Sequence, residues 1–142
     1  LAKLAPFFPN MSGNWTKISP LPGGDFAVDG VQDQIDKLMQ AFPFLGNIWA
    51  RRLIQTYGTD AALMLEDANS KEDLGEDFGA TLTAAEVEWL MEYEFAQTAE
   101  DVLWRRTKLG LRLKTEEAEW LQQFMVKRME KNATKHQKHS PE

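Results

Sequence analysis

Acid–base, nucleophilic or metal chemistry needs tuned side chains held by orienting partners. The residue types that supply them are thinly spread in this chain. The histidines, His136 and His139, stand near the C-terminal end in a polar stretch that reads as a disordered tail. Imidazoles at that spacing could share a metal ion weakly, but a tail cannot hold them in place. There is no cysteine, which excludes disulfides, thiolate chemistry and cysteine-based zinc sites. No Gly-x-Ser-x-Gly elbow occurs. Glu94, Glu100 and Asp101 lie close together, yet helix capping and ion pairing account for them. Asp67-Ala68-Asn69-Ser70-Lys71 opens like a calcium loop. It fails because Lys71 takes the fifth position, Glu72 replaces the glycine of the sixth, and Phe78 replaces the closing glutamate of the twelfth. Gly23-Gly24 follows Pro20 and Pro22 rather than a strand, so it is a turn and not a dinucleotide fingerprint. The sequence therefore predicts no catalytic residue, no metal site and no FAD or NAD site in this chain.

The remaining group with a chemical character is basic. Arg105, Arg106, Lys108, Arg112 and Lys114 cluster beside Trp104, in a helix that follows another after a short turn. That outline resembles a helix-turn-helix, but a pI near 5.0 is not that of a small nucleic-acid binder. Arg105, Arg106, Lys108 and Arg112 stand instead as candidates for docking another domain or an acidic partner. The competing role is pairing with carboxylates of the chain itself. Charge is divided along the sequence. Residues 60–101 hold thirteen acidic side chains against Lys71 alone, and residues 102–138 hold ten basic against four acidic. Two neighbouring helical surfaces could satisfy one another, or the basic surface could meet a partner.

The element that must position this cluster runs from Thr98 to Gly110. Thr98 is suited to cap it, because its hydroxyl can accept free N–H groups of the next turn. Glu100 and Asp101 near the start, and Arg105, Arg106 and Lys108 near the end, complement the helix dipole. Asp101 and Arg105 can pair across one turn. Gly110 is expected to end the helix in the left-handed conformation. Leu103 and Trp104 point about 100° apart, so burial of both would enclose much of the helix girth.

The other elements follow from periodicity. Residues 29–42 form a helix with Val31, Ile35, Leu38, Met39 and Phe42 on one side, broken by Pro43. Residues 45–57 form another, carrying Ile48, Trp49, Leu53, Ile54 and Tyr57, with Arg51, Arg52 and Gln55 on other faces and Gly58 as its end. Residues 60–66 form a short helix. Residues 67–82 read as a polar loop without strand alternation. Thr83 and Glu86 read as a capping box opening a helix to about Phe95. A last helix covers 116–131 with Thr115 as its cap. Residues 1–24 hold four of the six prolines together with Phe7, Phe8, Trp15 and Ile18. They predict an extended apolar arm. The fold class is all-α, a single compact domain of about six helices over residues 25–131, with a disordered tail over 132–142. Apolar residues at 43% and charged residues at 27% are ordinary for such a domain, and no apolar run approaches a membrane span.

The run Thr98-Ala99-Glu100-Asp101-Val102-Leu103-Trp104-Arg105-Arg106-Thr107-Lys108-Leu109-Gly110 resembles a signature in the C-terminal domain of the FAD-dependent, quinone-linked glycerol-3-phosphate dehydrogenases. Leu21-Pro22-Gly23-Gly24-Asp25, Pro43-Phe44-Leu45, Tyr57-Gly58 and Asp77-Phe78-Gly79 fit in order. Thr98, Asp101, Trp104 and Gly110 carry its structural pattern. The chain departs from the family at Tyr93-Glu94-Phe95, where His-Glu-Trp is common, and at Gln97, where a basic residue is common. The resemblance implies a non-catalytic helical cap, reached through residues 1–24 from an upstream domain that holds FAD and the substrate phosphate. It implies a parent enzyme that oxidises glycerol 3-phosphate to dihydroxyacetone phosphate and passes electrons to membrane quinone. That parent would be cytoplasmic and peripheral on the inner face of a bacterial inner membrane. Nothing in the sequence fixes the oligomeric state, which leaves room for a homo-oligomer. The alternative reading is a free-standing helical interaction module, whose arm would pack on its own helices.

Overall fold

The computed structural model describes residues 3, 5–8, 10 and 17–137, of which residues 5 and 135–137 are described by their backbone alone. Helix α1, Val31–Ala41, buries Ile35 and Leu38. Helix α2, Asn47–Tyr57, packs beside it and buries Trp49, Ala50, Leu53, Ile54 and Tyr57. These apolar positions recur at helical spacing, so one face of each helix is dry and the other is wet. Short helix α3, Asp60–Met64, follows and places Ala61 in the core.

The break between α2 and α3 is a backbone crossing. Gly58 has φ +57, and a Cβ there would lie 1.8 Å from the Gly23 carbonyl oxygen. A Cβ at Gly23 would lie 2.1 Å from the Tyr57 carbonyl oxygen. The Thr59 N–H donates to Gly23 O at 2.9 Å. Only glycine lets the N-terminal segment cross so close to the end of α2.

The expectation of a structureless loop over 67–82 is corrected. Strand β1, Asp77–Gly79, pairs antiparallel with β2, Leu82–Thr83, with Asp77 opposite Thr83 and Gly79 opposite Leu82. The strands are too short to show alternation. Ala80 and Thr81 at the tip both have positive φ, 49° and 70°. Such a turn matches strand twist but usually takes Asn or Gly, so here something must hold it. Phe78 is fully buried and meets Trp120 and Phe124 edge-on, with centroids 5.0 and 5.1 Å apart. Burying such a ring contributes roughly 1.5–3 kcal/mol.

Helix α4, Ala84–Tyr93, starts at Thr83 without a side-chain cap bond. The expected capping box is absent because Glu86 turns inward instead. Helix α5, Thr115–Gln137, packs on β1 and buries Leu121 and Met125. Its first free N–H, that of Lys114, is accepted by Glu117 Oε2 at 2.7 Å, so Lys114 rather than Thr115 is its cap residue. The helix runs through Asn132 to Gln137, which corrects the expected tail over 132–137 and places His136 on helical backbone. His139 lies outside the described residues. The all-α fold class stands, with the β1–β2 hairpin as its minor exception.

The arm also differs from a packed element. A 3-10 turn spans Ala5–Phe7. Phe7, Phe8 and Ile18 are 76%, 57% and 85% exposed, so none packs on the helices of this chain. Trp15 lies outside the described residues.

Candidate functional site

The signature segment begins as read. Asp101 N–H donates to Thr98 Oγ1 at 3.2 Å, and Thr98 N–H donates back to Asp101 Oδ2 at 3.0 Å. Asp101 Oδ2 also accepts the Gln97 N–H and the Thr98 hydroxyl. These bonds, led by that of Gln97 and joined by Arg105, lower the Asp101 carboxyl from 3.8 to about 2.

The segment then widens where a regular helix was expected. Asp101–Arg106 is π-helical, and both Thr107 N and Thr107 Oγ1 donate to Val102 O, at 3.0 and 2.7 Å. Lys108 takes the left-handed conformation assigned to Gly110, with φ +60. Gly110 has another role. A Cβ there would lie 2.5 Å from Trp104 Cε2, so the indole rests on the glycine. Trp104 is 45% exposed while Leu103 is buried, so this helix is enclosed on one side only. A π-turn of this kind often marks a functional site.

The basic candidates separate. Arg105 pairs with Asp101 and with Glu100, the latter at 3.1 Å. Arg106 donates to Glu94 O at 2.9 Å and sits 3.5 Å from its carboxylate. Lys108 Nζ donates to Trp104 O. Arg112 is exposed and has no side-chain hydrogen bond or ion pair among the described residues.

Arg112 and Lys108 share a groove with α2. Its volume is about 410 Å³, and its walls include Ile48, Arg51, Lys108, Leu111 and Arg112. Leu109 forms a buried part of it. None of the lining residues carries a carboxylate. In the sequence Arg51 and Ile48 stand only as members of a helix, and nothing there marks them as part of a site except their spacing, since Ile48, Arg51 and Gln55 recur on one face of α2.

A second missed feature lies beneath the groove. Arg52 Nη2 sits 2.6 Å from Glu86 Oε2, and Arg52 Nη1 sits 2.7 Å from Glu86 Oε1. The same guanidinium donates to Thr81 Oγ1 and Thr81 O, each at 2.8 Å, which holds the strained hairpin tip. The Tyr57 hydroxyl donates to Glu86 Oε1 at 2.7 Å. Burial works against the Arg52 charge, but the Glu86 hydrogen bond and charge outweigh it and raise Arg52 above its usual value. Burial, followed by the Glu86 charge and hydrogen bond, pushes the Tyr57 phenol well above its usual value. With every partner engaged, the cluster joins α2, α4 and the hairpin and offers no reactive group.

Residues 14–139 match the family model of the C-terminal domain of alpha-glycerophosphate oxidase. The chain is 39% identical over 127 residues to the aerobic glycerol-3-phosphate dehydrogenase of Escherichia coli (strain K12), across 89% of this chain and 25% of that protein. It is 41% identical over 125 residues to a glycerol-3-phosphate dehydrogenase of Pseudomonas aeruginosa, across 88% of this chain and 24% of that protein. It is 36% identical over 111 residues to the D-erythritol 1-phosphate dehydrogenase of Brucella abortus (strain 2308), across 78% and 22%. The chain thus spans about a quarter of the length of these curated relatives. The family match takes in the whole Thr98–Gly110 signature and the arm from residue 14 onward. The chain belongs to the family of C-terminal domains of alpha-glycerophosphate oxidase.

Proposed function

We propose that this chain is the non-catalytic C-terminal domain of a flavin-dependent dehydrogenase that oxidises glycerol 3-phosphate to dihydroxyacetone phosphate and delivers electrons to quinone. The observation that carries this reading is likeness over nearly the whole chain, 89% of it, to only 25% of a relative named as the aerobic glycerol-3-phosphate dehydrogenase. The exposed side chains of Phe7, Phe8 and Ile18 favour it over a free-standing module, whose arm would cover its own helices.

The residues present do not fit FAD. Among the described residues the only sheet is the antiparallel β1–β2 hairpin, and a dinucleotide crevice needs a parallel sheet with a glycine-rich turn into a helix. FAD and the substrate phosphate are therefore assigned to an upstream domain. This chain's part is to pack on that domain. The parent enzyme is placed peripherally on the inner face of a bacterial inner membrane. No helix among the described residues is long and apolar enough to cross a membrane.

The test uses the native polypeptide, captured with an antibody to this domain. Glycerol 3-phosphate should bleach its flavin absorbance, and a quinone analogue should restore it. Faster bleaching by D-erythritol 1-phosphate than by glycerol 3-phosphate would move the substrate to the other polyol phosphate named among the relatives. Removal of this domain should leave substrate-driven bleaching in any protein that stays folded. Loss of bleaching with flavin still bound would contradict the non-catalytic role.

A further inference from the structure

We propose that the groove between α2 and residues 107–112 seats an acidic segment of the parent's upstream domain, with carboxylates on Arg51 and Arg112 and an apolar side chain between Ile48 and Leu111. The proposal rests on the domain reading above and gives its interdomain contact a place and a chemistry.

Availability selects these residues. Arg105 and Arg106 are committed to Asp101, Glu100 and Glu94. Arg52 gives four of its five N–H donors to Glu86 and Thr81. Arg51, by contrast, spends one N–H on Gln32 Oε1 at 2.8 Å and keeps the rest of its fork. Arg112 has no side-chain partner among the described residues. Both line a groove without a carboxylate, in a chain whose net charge is −6. An unneutralised cationic concavity on an acidic chain favours a carboxylate-bearing occupant, and planar guanidinium forks match carboxylates in pairs.

The apolar component points to polypeptide. Ile48 is 76% exposed and Leu111 is 79% exposed, one on each side of the groove. Single exposed aliphatics are ordinary, but two beside an unpartnered arginine have the composition of an interface centre. Leu109, 3% exposed, lies recessed in the lining. A recess suits an inserted chain segment, whereas a lipid surface meets protruding groups.

Position supplies the partner. The incoming chain crosses at Gly23 against Gly58, directly after α2. Helix α2 has eleven residues and is about 16 Å long, so the polypeptide preceding residue 23 is delivered within one helix length of the groove. Relatives are about four times the length of this chain, so a partner domain of ample size would precede that crossing. The π-turn and the left-handed Lys108, tied to Trp104 O, fix the bank that carries Arg112.

The native full-length polypeptide is treated with a carbodiimide, which joins an amine to a touching carboxylate without a spacer, and Lys108 adducts are mapped by mass spectrometry. Lys108 should be joined to an Asp or Glu upstream of this chain. In the Arg51→Glu/Arg112→Glu variant that adduct should vanish, and proteolysis within residues 17–28 should quicken roughly tenfold. The variant's unchanged circular dichroism melting would show that the domain itself still folds. Lys108 adducts confined to this domain, or a variant with unchanged cleavage, would overturn the proposal while leaving the domain reading intact. A variant that instead loses binding to phosphatidylglycerol vesicles, with cleavage unchanged, would assign the groove to a membrane surface and also overturn it. A native chain of only 16.2 kDa would overturn the domain reading and this proposal together.

Discussion

Arg52 and Glu86 meet at 2.6 Å with side chains only 14% and 2% exposed, and they join helix α2 to helix α4 through the driest charged contact described in the fold. Glu86→Gln leaves the guanidinium without its counter-charge and is expected to cost about 3–5 kcal/mol. Arg52→Met with Glu86→Leu should be more stable than either single change, because no buried charge is stranded. Urea denaturation at neutral pH of the unaltered protein, Glu86→Gln, the Arg52→Met and Glu86→Leu singles and their double measures both effects. A Glu86→Gln loss below about 1 kcal/mol would mean that water screens the pair.

Tyr57 links the same cluster to alkaline stability. Its phenol is raised above the ordinary value of 10.0, so it stays neutral in the fold when the unfolded chain ionises. The stability it contributes is present below pH ~10 and declines as pH rises beyond it. Tyr57→Phe should flatten that alkaline decline and cost about 1–3 kcal/mol at neutral pH, since Glu86 loses a donor. Melting temperatures measured across the alkaline range test both parts.

Asp101 acts at the other end of the scale. Its folded value of about 2 lies below the ordinary 3.8, so its contribution is present above the unfolded value and is lost as pH falls toward 2. Asp101→Asn should lower stability at pH 7 and flatten the acid limb between pH ~4 and ~2. Acid titration followed by circular dichroism reads the slope. An unchanged slope would remove Asp101 from the account.

Gly110→Ala tests the seat of Trp104. The added methyl would lie 2.5 Å from the indole, which must swing toward solvent. The expected cost is about 1–3 kcal/mol, and Trp104→Ala should remove most of it. Additive single and double variants would show that the two residues do not share a contact.

The sequence made some of this structure legible and hid the rest for physical reasons. Stripes such as Ile35–Leu38 and Leu53–Ile54–Tyr57 are long enough for a helical period to show, so α1 and α2 could be placed. The Thr98–Asp101 cap is local in sequence and therefore readable. The β1–β2 hairpin was not, because strands of three and two residues carry no alternation. Glu86 was misread because Thr83-x-x-Glu86 fits a cap, while the deciding partners Arg52 and Tyr57 lie 34 and 29 residues away. Its place on the stripe with Val87 and Leu90 was the clue. Arg51, Lys108 and Arg112 share a groove only because α2 and the 107–112 segment meet in space. Gly110 was given a left-handed role by its type, yet the π-turn moved that conformation to Lys108.

The mass of the native polypeptide decides whether this chain is one domain of a larger enzyme. An antibody to this domain is applied to separated membrane and soluble fractions of the source cells. A domain of a larger enzyme should give a membrane-enriched band roughly four times heavier than 16.2 kDa, consistent with a chain that spans 25% of a relative. A soluble band near 16.2 kDa would contradict it and return the chain to the free-standing interaction module.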